Sequence, residues 1–313
     1  MAKARKSVLQ LVRQPRSLAC FMACSLFLFA GCHTSEDAVS AATQMSVTAK
    51  CLSDYYTALN MILADTDQIY ILNEQLFTKP YTPENRELLK NNRAELEKRA
   101  VLAADFSTLA GEFAKLTGST APDDVAKSSS KLEGEVETLE PMKASSEEKT
   151  ALKVAVKLLV TAIQEHKERE AAKAMDSFTK GLSDFFVKEE PAYVSINQVY
   201  VEFAATLAGD LVDRHQTDNS AVLKVALDPF GLQPSVTSAE LNTQLAPLAR
   251  QRIAARKMAL VKSFDTITDA MAKSLQEMSK RIDLVAEGKP MSSRSAPFTL
   301  ATVQHWATQL GAF

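Results

Sequence analysis

Apolar positions in this chain recur three and four residues apart over most of its length. Across residues 35–77, Met45, Leu52 and Leu59 form one row. Thr48, Tyr55, Ile62, Ile69 and Leu76 lie three further on, and Ala49, Tyr56, Leu63, Tyr70 and Phe77 four further on. Adjacent rows at that spacing make a wide apolar stripe on a helix. At 1.5 Å per residue, this helix would be roughly 65 Å long. Lys79-Pro80-Tyr81 breaks it, and Thr82 then caps a second helix with Pro83 at its first position. The second helix is expected to run to about residue 117, where Gly118 ends it. Leu89, Leu96, Ala103 and Ala110 repeat at seven, with Leu102, Phe106, Leu109, Phe113 and Leu116 on the same inner face. Its first half is dense in charge and includes Glu95 and Arg99 at i,i+4.

The pattern continues. Pro122 opens a shorter helix to about residue 139, with Val125, Leu132, Val136 and Leu139 inward, and Pro141 stops it. Ser145 with Glu148 has the form of a capping box. It predicts a fourth helix over residues 145–187, burying Leu152, Val156, Leu159, Ile163, Met175, Phe178, Leu182 and Phe185. Pro191 is expected to restart the chain into a fifth helix to residue 215, through Ile196, Tyr200, Phe203, Leu207 and Leu211. Asn219 or Ser220 caps a brief helix to Leu227. In the loop that follows, Phe230 and Leu232 are expected to plug the bundle end. A last long helix over residues 238–287 carries Leu260, Phe264, Ile267, Met271, Met278, Ile282 and Val285, with Pro247 kinking or restarting it.

Composition agrees with helices and nothing else. Only nine glycines occur among 313 residues, and no sustained period-two run of Val, Ile and Thr is bounded by turn dipeptides. The expected fold is all-α: an elongated antiparallel bundle of four to six long helices joined by short turns. Residues 32–291 form that bundle, and residues 292–313 are a linker and a short C-terminal amphipathic helix.

The first 31 residues break the pattern. A basic start with Lys3, Arg5, Lys6, Arg13 and Arg16 precedes an apolar run from Leu18 to Ala30. Basic residues, then an apolar core, then small residues form a secretory signal peptide. The apolar run falls short of the roughly 20 residues that a membrane-spanning helix needs. It ends in Leu28-Phe29-Ala30-Gly31-Cys32. That ending resembles the lipobox of bacterial lipoproteins, with Phe29 standing where the family usually has Leu, Val or Ile. The resemblance covers only about the first 33 residues. It implies that Cys32 is the lipid-attachment residue and the first residue of the mature chain. It also implies a protein anchored to the bacterial cell envelope and facing the periplasm. His33 rather than an aspartate after the cysteine resembles the pattern sent to the outer membrane.

Charge and cysteine content narrow the function. The formal net charge is −2 with the basic leader included, so the remainder is more acidic still. Nucleic-acid binding needs a basic footprint, which is missing. On that resemblance Cys20 and Cys24 leave with the leader and Cys32 is acylated, which leaves Cys51 as a lone thiol, either buried, the favoured expectation, or a site of pairing between chains. Neither His166 nor His215 has a glutamate three residues before it, so the di-iron pattern of helical bundles does not occur, and no cofactor is implied. Glu165, His166, Glu168 and Glu170 alternate with Lys167 and Arg169, as on a solvated face. Glu133, Glu135, Glu137 and Glu140 lack the glycine and the spacing of a calcium loop. No nucleophile elbow or glycine-rich phosphate loop is present. The aromatic residues sit at helical spacing and read as core.

No catalytic residue is therefore expected. The leading expectation is a non-enzymatic scaffold or protein-interaction role. It involves the membrane through acylated Cys32 and an envelope protein partner. The alternative is a periplasmic carrier that holds a small apolar ligand or lipid between its helices. The uncharged segment 298–313, with Val303, Trp306, Ala307 and Leu310 on one helical face, docks on the bundle, lies in the membrane interface or presents a partner-binding helix.

Overall fold

The computed structural model describes residues 16–116, 122–142, 146–164, 168–235 and 238–286, with side chains described from Val39 onward except at 115–116, 122–124, 163–164, 168–169 and 285–286. The long helices are α1 (Arg16–Phe77), α2 (Pro83–Leu116), α3 (Pro122–Thr138), α4 (Ser146–Gln164), α5 (Glu168–Asp213) and α7 (Ala239–Ala286). A one-turn α6 (Lys224–Leu227) lies between two short 3-10 segments, Asn219–Leu223 and Asp228–Phe230. The chain is all-α, as the apolar periodicity predicts.

Side-chain contacts fix the directions. α1 and α2 form an antiparallel hairpin: Ser107 donates to the Ser46 carbonyl at 2.7 Å and Ser53 to the Ala100 carbonyl at 2.8 Å. Small residues allow this approach, and a Cβ on Gly111 would already lie 3.4 Å from the Ser46 hydroxyl. Asn85 donates its backbone N–H to the Thr82 hydroxyl, so the predicted cap is made. α3 returns along α2, with Lys131 paired to Asp105. α5 runs parallel to α1, bringing Thr179 to Met45 and Tyr193 to Tyr56. α7 runs antiparallel to α1, with Tyr55 on Thr268 and Gln44 accepting from Arg281.

These pairings give two ends. The near end holds the Val39 region of α1 and the last turns of α7. The far end holds residues 78–82 and 214–238. The half of the bundle toward the near end contains six helices, because α3 and α4 cover it. Only α1, α2, α5 and α7 continue into the far half. The core lies mainly in the near half, where Phe106 and Phe178 meet edge to face at 4.8 Å between ring centres. Tyr55, Tyr56, Phe186 and Tyr193 pack on one another with centres 5.2 to 6.2 Å apart. These aromatic residues are core, as their spacing predicts.

Four expectations need correction. The helix expected over residues 145–187 is two helices: α4 and the first half of α5 lie antiparallel, with Gly181 against Leu152. A Cβ on Gly181 would come within 3.2 Å of that leucine. Apolar spacing is the same on both arms of a hairpin, so periodicity alone cannot show the fold-back. Pro191 does not restart the chain, since α5 passes through it. A proline inside a helix costs one hydrogen bond and about 3 kcal/mol. Here its ring faces solvent, and burial of Phe185 and Phe186 before it and Tyr193 and Ile196 after it offsets that cost. Phe230 and Leu232 do not plug the bundle end but are exposed. The brief helix after α5 is capped by Asp218, whose carboxylate accepts from the Ser220 N–H at 2.8 Å. Separately, α1 keeps the predicted end at Phe77 but begins at Arg16 rather than near residue 35.

Candidate functional site

Two places gather chemistry. The first is buried at the middle of the bundle, where α2, α5 and the segment after α3 meet. The Arg99 side chain is 1 % exposed and that of Glu189 is fully buried. One arm of the Arg99 guanidinium donates to the Glu95 carbonyl and carboxylate at 2.9 and 3.2 Å. The other donates to the Glu140 carbonyl at 2.8 Å and to Glu189 at 3.3 Å. Both carboxylates also hold backbone: Glu95 accepts from the Glu140 N–H and Glu189 from the Met142 N–H. The guanidinium sits over the Phe185 ring at 5.5 Å. The cluster therefore ties the α3–α4 connection to α2 and α5. Buried charges need pairing of this kind, and of the guanidinium nitrogens only the Arg99 Nε is left without a partner. Tyr56 and Tyr193 are buried beside these groups, and burial pushes their hydroxyls well above the ordinary tyrosine range. The arrangement is a clamp between these segments.

The charge-dense i,i+4 pattern makes Glu95–Arg99 read as surface, so sequence reasoning missed this cluster. A signal was present. Arg99 falls between Leu96 and Leu102 on the inner row of α2. Glu189 falls four residues after Phe185 and four before Tyr193 on the inner row of α5.

The second place is a groove in the far half, between α5, the 3-10 segment Asn219–Leu223 and α7. Its volume is about 390 Å³. Val201, Ala204, Ala205, Ala208 and Val212 line it from α5, and Ala249, Ile253 and Leu260 from α7. The alanines leave the space: side chains this small cannot close the gap between the two helices. The third wall is held in place by an asparagine pair. The Asn219 N–H donates to the Asn242 side-chain oxygen at 2.8 Å, its amide to the Asn242 carbonyl at 3.0 Å, and the Asn242 amide to the Thr217 carbonyl at 2.9 Å.

Beside it stands a tip of uncovered apolar residues. Val225 is 85 % exposed, Phe230 77 % and Leu232 55 %. Gly231, at φ 69°, makes the left-handed turn that presents them. The chain reversals at this end are also strained. Thr78 has φ 54° and His215 has φ 56°, a region that non-glycine residues rarely occupy.

The remaining candidates are placed as follows. Cys51 is buried as expected, and burial pushes its thiol up to about 11 from 9.0. His215 lies exposed just beyond α5, with its backbone N–H on the Val212 carbonyl. Glu133, Glu135 and Glu137 are on α3 and Glu140 follows it, and the described residues contain no group that could hold a metal ion. Cys32 falls within the span of α1, but its side chain lies outside the described residues, as do Ser145, Gly118, His166 and the whole segment 292–313 with Trp306. Among the described residues, no helix is long and apolar enough to cross a membrane. No protein-family model matches the chain, and neither curated proteins nor solved structures give a match to it.

Proposed function

We propose that the protein is a lipid-anchored envelope protein with a non-enzymatic scaffold or interaction role, and that its far end is the working end. The observation that carries this reading is the contrast within the chain. Seven large aromatic residues are sealed in the near half, while Val225, Phe230 and Leu232 stand uncovered on the short segment 224–232 at the far end. Adjacent exposed apolar side chains of that kind favour contact with another macromolecule. Acylation of Cys32 would attach the opposite end of α1 to the membrane and hold the tip tens of Å away from it. About 38 residues of α1 from Val39 to Phe77 span roughly 57 Å at 1.5 Å each.

The test uses a photo-crosslinking amino acid at position 230 in intact cells. A reproducible adduct with an envelope protein, missing when the probe is at position 153 on α4, is the expected result. Adducts to lipid alone, or equal yields from both positions, would rule the tip out as the working surface. Cys32→Ser should release a folded bundle from the membrane fraction, and retention in high salt would disprove the acyl anchor. The carrier reading has one observation of its own, the apolar groove.

A further inference from the structure

We propose that the α5–α7 groove is a binding site for a single-chain amphiphile with an anionic head, such as a fatty acid carboxylate. The inference rests on the carrier reading and is independent of the tip.

Three observations support it. The first is shape. The groove holds about 390 Å³, at the lower end of the roughly 300–1,000 Å³ typical of small-ligand sites. That suits one acyl chain better than a two-chain lipid. The second is the floor, which is alanine, valine, isoleucine and leucine, with no aromatic ring to stack on a flat ligand. An alkyl chain needs only removal from water, which such a surface supplies.

The third is charge. The lining carries Arg252, Arg256 and Lys257 against one carboxylate, Asp218. Asp218 is committed to the Ser220 N–H and hydroxyl as a cap. The surrounding stretch of α7, residues 249–262, holds Arg250, Arg252, Arg256, Lys257 and Lys262 and no acidic residue, in a chain that is acidic overall. Asp213 pairs with Arg250 and Glu202 with Lys257, and Arg256 makes an interaction of its own. Arg252 reaches the Ala221 carbonyl, a neutral partner. The wall between groove and solvent is therefore net positive, and an anionic head above an apolar tail meets both surfaces at once. A neutral apolar ligand would use only the floor.

The test is displacement of a dansyl-labelled undecanoate from the mature chain, residues 32–313 with Cys32→Ser, by tetradecanoate and by tetradecanol. Saturable one-to-one binding is expected, with tetradecanoate roughly tenfold or more tighter than the alcohol. Ala205→Trp, which fills the groove, should abolish binding. Arg252→Gln with Arg256→Gln should remove the preference for the acid while leaving the alcohol's affinity unchanged. Thermal unfolding of each variant shows that the fold is kept, and Ala208→Phe serves as a second filling variant should Ala205→Trp unfold. Equal affinity for acid and alcohol would overturn the anionic-head proposal and leave the carrier reading intact. Absence of saturable binding would overturn both, because the groove would then belong to the chain's own C-terminal segment, a second copy or a partner helix. Binding undisturbed by either filling variant would place the ligand elsewhere and overturn the site.

Discussion

The two halves of the bundle are built from the same helices and solve different problems. In the near half six helices surround a core of Phe106, Phe178, Phe185, Phe186, Tyr56 and Tyr193, all essentially without solvent contact. In the far half α3 and α4 are gone, and the buried positions include Thr66, Asn73 and Asn197. There α5 and α7 are spaced by alanines and bounded by an open groove. The chain turns through left-handed Thr78 and His215, and apolar side chains face water. Where helices are fully covered, stability comes from burial. Where cover is withdrawn, the same sequence rules leave surface for binding. The near half is read as a foundation and the far half as a recognition end.

The largest expected effect tests the foundation. Glu189→Ala leaves Arg99 buried without its main counter-charge and frees the Met142 N–H. A loss of about 3–5 kcal/mol in urea unfolding is expected, because breaking a buried pair strands the partner charge. Arg99→Met with Glu189→Leu together should cost less than Glu189→Ala alone. If the single variant loses under about 1 kcal/mol, the clamp does not hold the α3–α4 connection and the contrast between halves weakens.

Alkali tests the same core by another route. Cys51 ionises near 9.0 when unfolded and near 11 when folded, because burial disfavours the thiolate. The hydroxyls of Tyr55, Tyr56 and Tyr193 are raised in the same direction by burial. An acid whose folded value is raised supports the fold below its unfolded value and withdraws that support as pH rises toward the folded one. Stability should therefore be level below pH 9 and fall by about 2–3 kcal/mol toward pH 11 from Cys51 alone. Cys51→Ala should flatten the first part of that fall. A wild-type curve that is flat from pH 8 to 11 would mean the near-half core admits water.

Sequence periodicity made the limits of most helices legible and little of what covers them. Rows of apolar residues located the end of α1, the Thr82–Pro83 start of α2 and the limits of α3 and α7. These features depend on local spacing, caps and breakers. Three other features depend on what covers a residue. The hairpin of α4 and α5 has one period on both arms. Arg99 is flanked by charge along the chain and by aromatics in space. Phe230 and Leu232 are apolar wherever they sit, and the sequence does not show that they stand exposed. The groove had no local signature at all, since it is made by small residues on two helices far apart in sequence.

A smaller effect concerns strain at the far end. Thr78→Gly and His215→Gly each remove a side chain from a left-handed position. Each is expected to raise stability by up to about 1 kcal/mol, partly offset by the greater freedom of glycine when unfolded. His215 follows α5 with its own N–H on the Val212 carbonyl and the Gln216 N–H on the Leu211 carbonyl, a helix-ending pattern in which glycine is the usual residue. Destabilisation by either glycine would show that the side chain itself, not the backbone, fixes the turn.

The smallest effect on stability makes the sharpest comparison. Phe230→Ser and Val225→Ser remove apolar surface that nothing in the bundle covers. Surface changes away from packed features stay within about 0.5 kcal/mol, so unfolding midpoints should not move. Capture of an envelope partner by a crosslinker at the neighbouring position 232 should fall sharply. The near half supplies the control, because α4 also exposes two apolar residues, Val154 at 53 % and Leu158 at 55 %. They are neighbours at i,i+4 on one helix face, away from any left-handed turn among the described residues. Val154→Ser should leave both stability and capture unchanged. If it reduces capture as much as Phe230→Ser does, recognition is spread along the whole bundle, and the division into foundation and recognition end fails.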